Sequence, residues 1–329
     1  MNKIICGEAL NELKKIDNNS IDCCISSPPY YALRDYEVPG QIGLEDTFEE
    51  YIKKLCDIYD EVKRVLKNEG TCFVNLGDTY SGSNCGSNDY RDKDGLGNAV
   101  NKKYNGQKAG KTSLPNKCLM MIPARFAIEM INRGWILRNQ IIWHKPNALP
   151  SSVLDRFGVD YEIIYFFVKS KKYYFNIQYE PYADSSIIKY RQALRANKSY
   201  CSKELYKNNT SYVKRYKRGQ GAITNRGNDS DGLVVGGKNE GRYKRCVWSI
   251  PTRSYSGAHF ATFPPDLIKP CILAGCPKNG IVLDIFAGSG TTLDVARKLG
   301  HEYIGIELNP EYIKLIEKRL EQEILQWFD

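Results

Sequence analysis

Asp284-Ile285-Phe286-Ala287-Gly288-Ser289-Gly290-Thr291 is the stretch whose reading decides the fold. Residues 281–285 read as a buried strand, the glycines as a tight turn, and residues 291–299 as the helix that follows. Glu307 closes the next strand-like run, 23 residues after Asp284. In such units the glycines let the backbone turn close to a ligand, and an acid ending the second strand accepts hydrogen bonds from ribose hydroxyls. Leu293 stands where a dinucleotide fingerprint has Gly or Ala, and no Gly-Lys-Ser/Thr occurs, so a Walker phosphate loop is excluded. Taken alone, the Gly-x-Gly is compatible with a nucleoside site and equally with a plain turn before a helix.

Outward from this stretch the chain alternates strand and helix patterns. Residues 3–6 and 21–26 read as buried strands. Residues 49–66 read as an amphipathic helix with Tyr51, Leu55, Ile58, Val62 and Val65 on one face, ended by Gly70 before a strand at 71–76. A helix at 122–132, strands at 135–143 and 162–168, a helix at 264–274, a strand at 303–307 and a helix from Pro310 continue the pattern. Alternation of this kind predicts an α/β sheet with helices on both faces.

Two stretches break it. Residues 81–116 are rich in Gly, Ser, Asn and Lys, and read either as a mobile loop that orders on substrate or as a surface insertion. Residues 171–246 are basic and interleaved with tyrosines. Between 189 and 245 there are fifteen Lys and Arg against four acids, a local balance of +11 in a chain of net +9. One segment therefore carries the positive field that attracts a polyanion. The expected organisation is a catalytic domain of residues 1–170 and 247–329, with 171–246 inserted into it.

Composition narrows the classes further. With 329 residues, 42% hydrophobic and 26% charged, the chain is expected to be globular. No apolar run reaches the roughly 20 residues of a membrane helix, and no apolar signal core follows Met1, so a cytoplasmic protein is expected. The 11 cysteines are scattered without a Cys-x-x-Cys pair, and only 3 histidines accompany them. They read as reduced, structural thiols, and no metal is expected.

Ser27-Pro28-Pro29-Tyr30 follows directly on the strand at 21–26. Two prolines fix φ and lack N–H, so they hold a rigid turn with carbonyls available as acceptors. An exocyclic base amine is a poor nucleophile because its lone pair is delocalised into the ring. A hydroxyl such as that of Ser27 and a proline carbonyl, by accepting its hydrogens, free that lone pair for attack on a methyl sulfonium. Tyr30 offers a face on which an extruded base can stack.

With both elements in this order, the chain resembles the β class of amino-methylating (N4-cytosine/N6-adenine) DNA methyltransferases. The resemblance covers nearly the whole chain outside the basic segment, and implies a Rossmann-like methyltransferase fold with S-adenosylmethionine as cofactor. Asp284, Phe286, Gly288 and Gly290 would border its amino-acid part and Glu307 its ribose. Glu8, in Cys6-Gly7-Glu8-Ala9, would lie on the adenine side, though the family usually has Asp there. Ala261-Thr262-Phe263-Pro264 resembles a second methionine-side element, adding Thr262 and Phe263 to the cofactor contacts. Asn75-Leu76-Gly77-Asp78 and Trp143-His144-Lys145-Pro146 are also family-like, with Trp143 and His144 as a wall of the base pocket. His144 itself reads as a histidine packed at a strand end more readily than as a general base.

The family places its target-recognition region where the basic segment falls. Lys and Arg there would bind phosphates and read base edges, with Arg191, Arg195, Lys214, Arg215, Lys217, Arg218, Arg242, Lys244 and Arg245 as the candidates. The expected substrate is double-stranded DNA, and a serine at position 27 leans toward N4 of cytosine, with N6 of adenine as the alternative. Cytosine C5 chemistry is disfavoured, because Cys271 follows a proline within a predicted helix and lacks the usual Pro-Cys-Gln context. An RNA or protein amine methyltransferase and an inactive DNA-binding homologue are the rival readings. A cognate restriction endonuclease, and the choice between monomer and homodimer, are left open by the sequence.

Overall fold

The computed structural model describes residues 2–36, 38–82, 112–148, 153–181, 242–252 and 263–321. By internal packing the chain divides into a larger unit, Met1–Asn176 with Cys246–Asp329, and a smaller one, Ile177–Arg245.

Among the described residues the larger unit is built on eight strands: β1 (Lys3–Cys6), β2 (Ile21–Ser26), β3 (Leu66–Leu76), β4 (Ile136–His144), β5 (Tyr161–Val168), β8 (Val247–Ser249), β9 (Ile281–Asp284) and β10 (Glu302–Glu307). Their spatial order is β1-β10-β9-β2-β3-β5-β4-β8. Every neighbouring pair is parallel except those made by β5, which runs against β3 and β4. The sheet is therefore mostly parallel, in keeping with the α/β sheet expected from the alternating pattern.

Helices cover both faces. Cys24 of β2 packs into one core with α1 (Ala9–Leu13), α2 (Phe48–Val65) and α3 (Ile122–Asn132). Its neighbours Cys23 and Ile25 point the other way, into a core with α4 (Pro265–Gly275), α5 (Thr291–Lys298) and α6 (Pro310–Glu321). This two-residue alternation makes the thiols small core hydrophobes. Helix α2 starts at the Thr47 cap, whose hydroxyl accepts from Glu50 N at 3.2 Å, and carries Glu49 and Glu50 in its first turn and Lys63 and Arg64 in its last, as the helix dipole favours.

The helix expected over 49–66 spans Phe48–Val65, but the strand expected from Thr71 begins already at Leu66. Leu66, fully buried, pairs with Ile21 and starts β3, while an irregularity between Ile21 and Cys23 takes up the extra residues through Gly70. Burial of Leu66 on the sheet draws the residues after the helix into pairing with β2. Residues 171–176, read from sequence as part of the basic segment, belong to the larger unit. Tyr174 N donates to Glu69 O, Asn176 N donates to Ala274 O, and the Tyr173 ring packs edge-on against Phe166.

In the smaller unit, the described part is a two-stranded ribbon of β6 (Tyr179–Glu180) and β7 (Arg242–Tyr243), antiparallel, with the Tyr179 and Tyr243 rings 5.6 Å apart. Most of the 81–116 stretch lies outside the described residues. Among the described residues no helix is long and apolar enough to cross a membrane.

Candidate active site

The strand order creates the site. From β2 the chain passes through α2 to β3 on one side; from β9 it passes through α5 to β10 on the other. Strands β2 and β9 lie side by side, with Cys23 opposite Val282 and Cys24 opposite Leu283. Where connections diverge in this way, a crevice opens beyond the carboxyl ends of the strands.

A cavity of about 770 Å³, counted to its open mouth, occupies that crevice. Its wall takes Ser27 and Pro29 after β2, Ile285, Phe286 and Gly288 after β9, Glu307, Leu308 and Asn309 after β10, and Gly7 and Glu8 after β1. Two motifs about 260 positions apart in sequence thus face one space. The roof comes from Tyr36, Val38, Gly40, Gln41 and Ile42, which sequence reasoning missed. Gln41 ties this roof together, accepting from Tyr36 N at 2.7 Å and donating to Arg34 O at 3.1 Å. A side-chain clamp within an irregular loop leaves no periodic trace.

Glu307 is the anchored acid of the cavity. One carboxylate oxygen accepts from Gly288 N at 2.7 Å and the other from Asn309 N at 2.8 Å. Burial holds its carboxyl above the usual range, against those backbone N–H groups, so it gains from further donors. Gly290 starts α5 at φ 78°, a left-handed conformation, and a β-carbon there would come within 3.0 Å of Ile316.

Asp284 does not line the cavity. It is 1% exposed and its Oδ1 accepts from Phe286 N at 3.1 Å. Burial pushes its carboxyl up to about 7. It supports the loop from beneath. Glu8 lines the cavity but also caps α1, its two oxygens accepting from Leu10 N and Asn11 N. Phe263 packs against the α4–α6 core and is absent from the cavity wall, and Thr262 lies outside the described residues.

At the Ser27–Tyr30 turn, Tyr51 donates its hydroxyl to Pro29 O at 2.8 Å, filling one of that carbonyl's two acceptor positions. Among the described residues no hydrogen bond uses the Pro28 carbonyl. Tyr30 is fixed on three sides. Its hydroxyl donates to Glu162 Oε2 at 2.6 Å and accepts from Asn75 Nδ2 at 2.6 Å; Asn75 also donates to the same Glu162 oxygen at 2.7 Å. Lys145 Nζ is bonded to the other Glu162 oxygen and sits 4.6 Å over the Trp143 ring. The Tyr30 ring lies directly on Gly77, where a β-carbon would come within 2.4 Å of it. Burial and the Glu162 charge push the Tyr30 phenol well above its ordinary value, so it stays protonated. The Ser27 hydroxyl stands 3.5 Å from both Tyr30 OH and Asn75 Nδ2.

Asn75 and Gly77 belong to a quartet already noted in the sequence. The ion pair of Glu162 and Lys145 was not foreseen, because it arises only once β5 runs antiparallel beside β3. Trp143, expected in the base-pocket wall, is buried in the α4–α6 core with Nε1 donating to Ile250 O at 2.8 Å. His144 ends β4, its Nδ1 3.0 Å from Ser249 Oγ. Cys271 is buried within α4. Of the basic candidates, Arg191, Arg195, Lys214, Arg215, Lys217 and Arg218 lie outside the described residues. Arg242 Nε and Arg245 Nε each donate to Glu180 Oε1 at 2.7 Å, and Lys244 N donates to Gln178 O.

Comparison with known proteins converges on one family. The DNA methylase family profile matches residues 21–318. The type II methyltransferase M.Cfr9I of Citrobacter freundii is 36% identical over 319 residues, covering 96% of this chain and 87% of the relative. M.SmaI of Serratia marcescens is 36% identical over 320 residues, covering 97% and 90%. Among solved structures, the cytosine-N4-specific PvuII DNA methyltransferase superposes with a TM-score of 0.59 at 18% identity, covering 96% and 85%. A DNA modification methylase from Thermus thermophilus, complexed with S-adenosyl-L-methionine, gives 0.57 at 18% identity, covering 98% and 95%. These two share the fold. The chain belongs to the DNA methylase family, as a type II amino-methylating DNA methyltransferase whose methyl donor is S-adenosylmethionine.

Proposed function

We propose that the enzyme methylates N4 of cytosine in double-stranded DNA at a specific site, by direct displacement on a base turned out of the duplex. The observation that carries this reading is that Ser27 lines the same cavity as Glu307 and Gly288.

The cavity suits the methyl donor. Its described wall holds two carboxylates, Glu8 and Glu307, and no Lys or Arg, which disfavours a diphosphate and favours a cationic nucleoside. The residues that would hold it are Glu307 at the ribose hydroxyls, with Phe286, Gly288 and Ile285 along one side and Tyr312 and Leu308 along another. S-Adenosylmethionine supplies a methyl group already activated on a sulfonium.

The chain's own task is then to bind, orient and desolvate the amine. Ser27 Oγ and the Pro28 carbonyl accept the two amine hydrogens and turn the nitrogen lone pair toward the methyl group. Tyr30, locked by Asn75, Glu162 and Gly77, gives the base a fixed ring to lie against. Serine at position 27 supports cytosine over adenine, and the PvuII enzyme sharing this fold is named as cytosine-N4-specific. The basic segment 171–246 would supply the phosphate and base contacts.

Incubation with labelled S-adenosylmethionine and duplex DNA, RNA or protein, followed by nucleoside chromatography, tests the reading. Label in N4-methyldeoxycytidine is expected. Label in N6-methyldeoxyadenosine, or only in RNA or protein, overturns it.

A further inference from the structure

We infer that the loop joining β4 to β5 is the wedge that opens the duplex, with Phe157 entering the base stack where the target base leaves it. This rests on the reading of the enzyme as one that turns its target base out of double-stranded DNA.

Within residues 153–161 five large apolar side chains are exposed: Val153, Leu154, Phe157, Val159 and Tyr161. Leu154 is 99% exposed and Phe157 95%. Two side chains of this size turned almost wholly to water, with three more partly exposed in so short a run, mark a contact surface.

Described polar residues of the loop have partners. Lys145 N donates to Asp160 O at 2.7 Å, Lys117 pairs with Asp155 at 2.6 Å, and the Arg156 guanidinium lies 4.0 Å over the Tyr80 ring. These contacts reach Lys145 just after β4, Tyr80 beyond β3 and Lys117 ahead of α3, while Leu154 and Phe157 are presented outward.

Position identifies the occupant. Tyr161 leads directly into Glu162, the residue that accepts the Tyr30 hydroxyl at 2.6 Å. The loop therefore stands on the rim of the sheet that carries the catalytic turn, continuous with the place where the extruded base must lie. A base that leaves its helix leaves an unstacked gap, and an apolar wedge inserted there compensates part of the lost stacking. An aromatic ring does this for any neighbouring base.

The test compares Phe157→Ala, Phe157→Trp and wild type on two duplexes carrying the enzyme's own site, one fully paired and one with the target base mispaired. Phe157→Ala should lose about tenfold or more in turnover on the paired duplex and recover to within about threefold of wild type on the mispaired one, because the opening has been done in advance. Phe157→Trp should stay near wild type on both. Affinity for S-adenosylmethionine, by calorimetry, should not change in either variant, which verifies folding. Unchanged turnover of Phe157→Ala on paired DNA overturns the inference, as does an equal loss on both duplexes. So does a switch in sedimentation from dimer to monomer without the substrate-dependent recovery, which would make this surface an interface between copies. A wild-type enzyme that methylates neither duplex overturns the DNA reading itself, and does so whatever Phe157 does.

Discussion

On the proposed reading, Ser27 and Glu307 divide the labour of the cavity, one touching the amine and the other the methyl donor. Ser27→Ala should therefore lower kcat by about 10- to 100-fold with little change in cofactor Kd, whereas Glu307→Ala should weaken the Kd by a similar factor. Equal losses of cofactor affinity in both would contradict that division. Asp284 and Glu307 carry a second consequence. Both carboxyls are held above their unfolded values, Asp284 at about 7, so ionisation works against the folded state. Stability should fall as pH rises from about 4 through about 7 and then level off, by on the order of a few kcal/mol for Asp284. In urea titrations without cofactor, Asp284→Asn should lose most of that slope and gain on wild type above pH 7. A variant that follows the wild-type curve would contradict it. The pattern of Asp284 to Gly290 was readable in the sequence because each residue sits in one short turn. That Asp284 lies under the loop, while Ile285, Phe286 and Gly288 reach the cavity, depends on packing from β10 and could not be read.

At the scale of elements, the catalytic turn is stiffened by what lies beside it. Gly77 at the end of β3 brings the backbone against the Tyr30 ring, and a methyl there would meet Cε2 at 2.4 Å. Gly77→Ala should displace that ring and reduce turnover by about tenfold or more while cofactor binding, measured separately, persists. An active Gly77→Ala enzyme would mean that Tyr30 does not position the base. Glu162→Gln should act through the same ring, since the charged acceptor is removed, and should lower kcat rather than raise the cofactor Kd. Most helices and strands were legible because their apolar periodicity is set by burial on one face or two. The start of β3 was not, because Leu66 to Gly70 has no strand pattern of its own and is drawn in by pairing with β2. Strand β8 was missed for a related reason: three residues carry no period, and Trp248 pairs only because β4 is there.

For the whole molecule, the decisive fact is adjacency of β2 and β9. The sequence showed two motifs in a telling order with a basic segment between them. It could not show that the chain connections leave those two parallel strands in opposite directions and so bring Ser27 and Glu307 to one cavity. The same topology sets β5 antiparallel, which delivers Glu162 to Tyr30 and the 153–160 loop to the catalytic rim. The most direct measurement is single-molecule sequencing of DNA from a host expressing the wild-type enzyme or Ser27→Ala. N4-methylcytosine at one recurring motif, lost in Ser27→Ala, is the predicted result; N6-methyladenine, or modification that persists in Ser27→Ala, would contradict it.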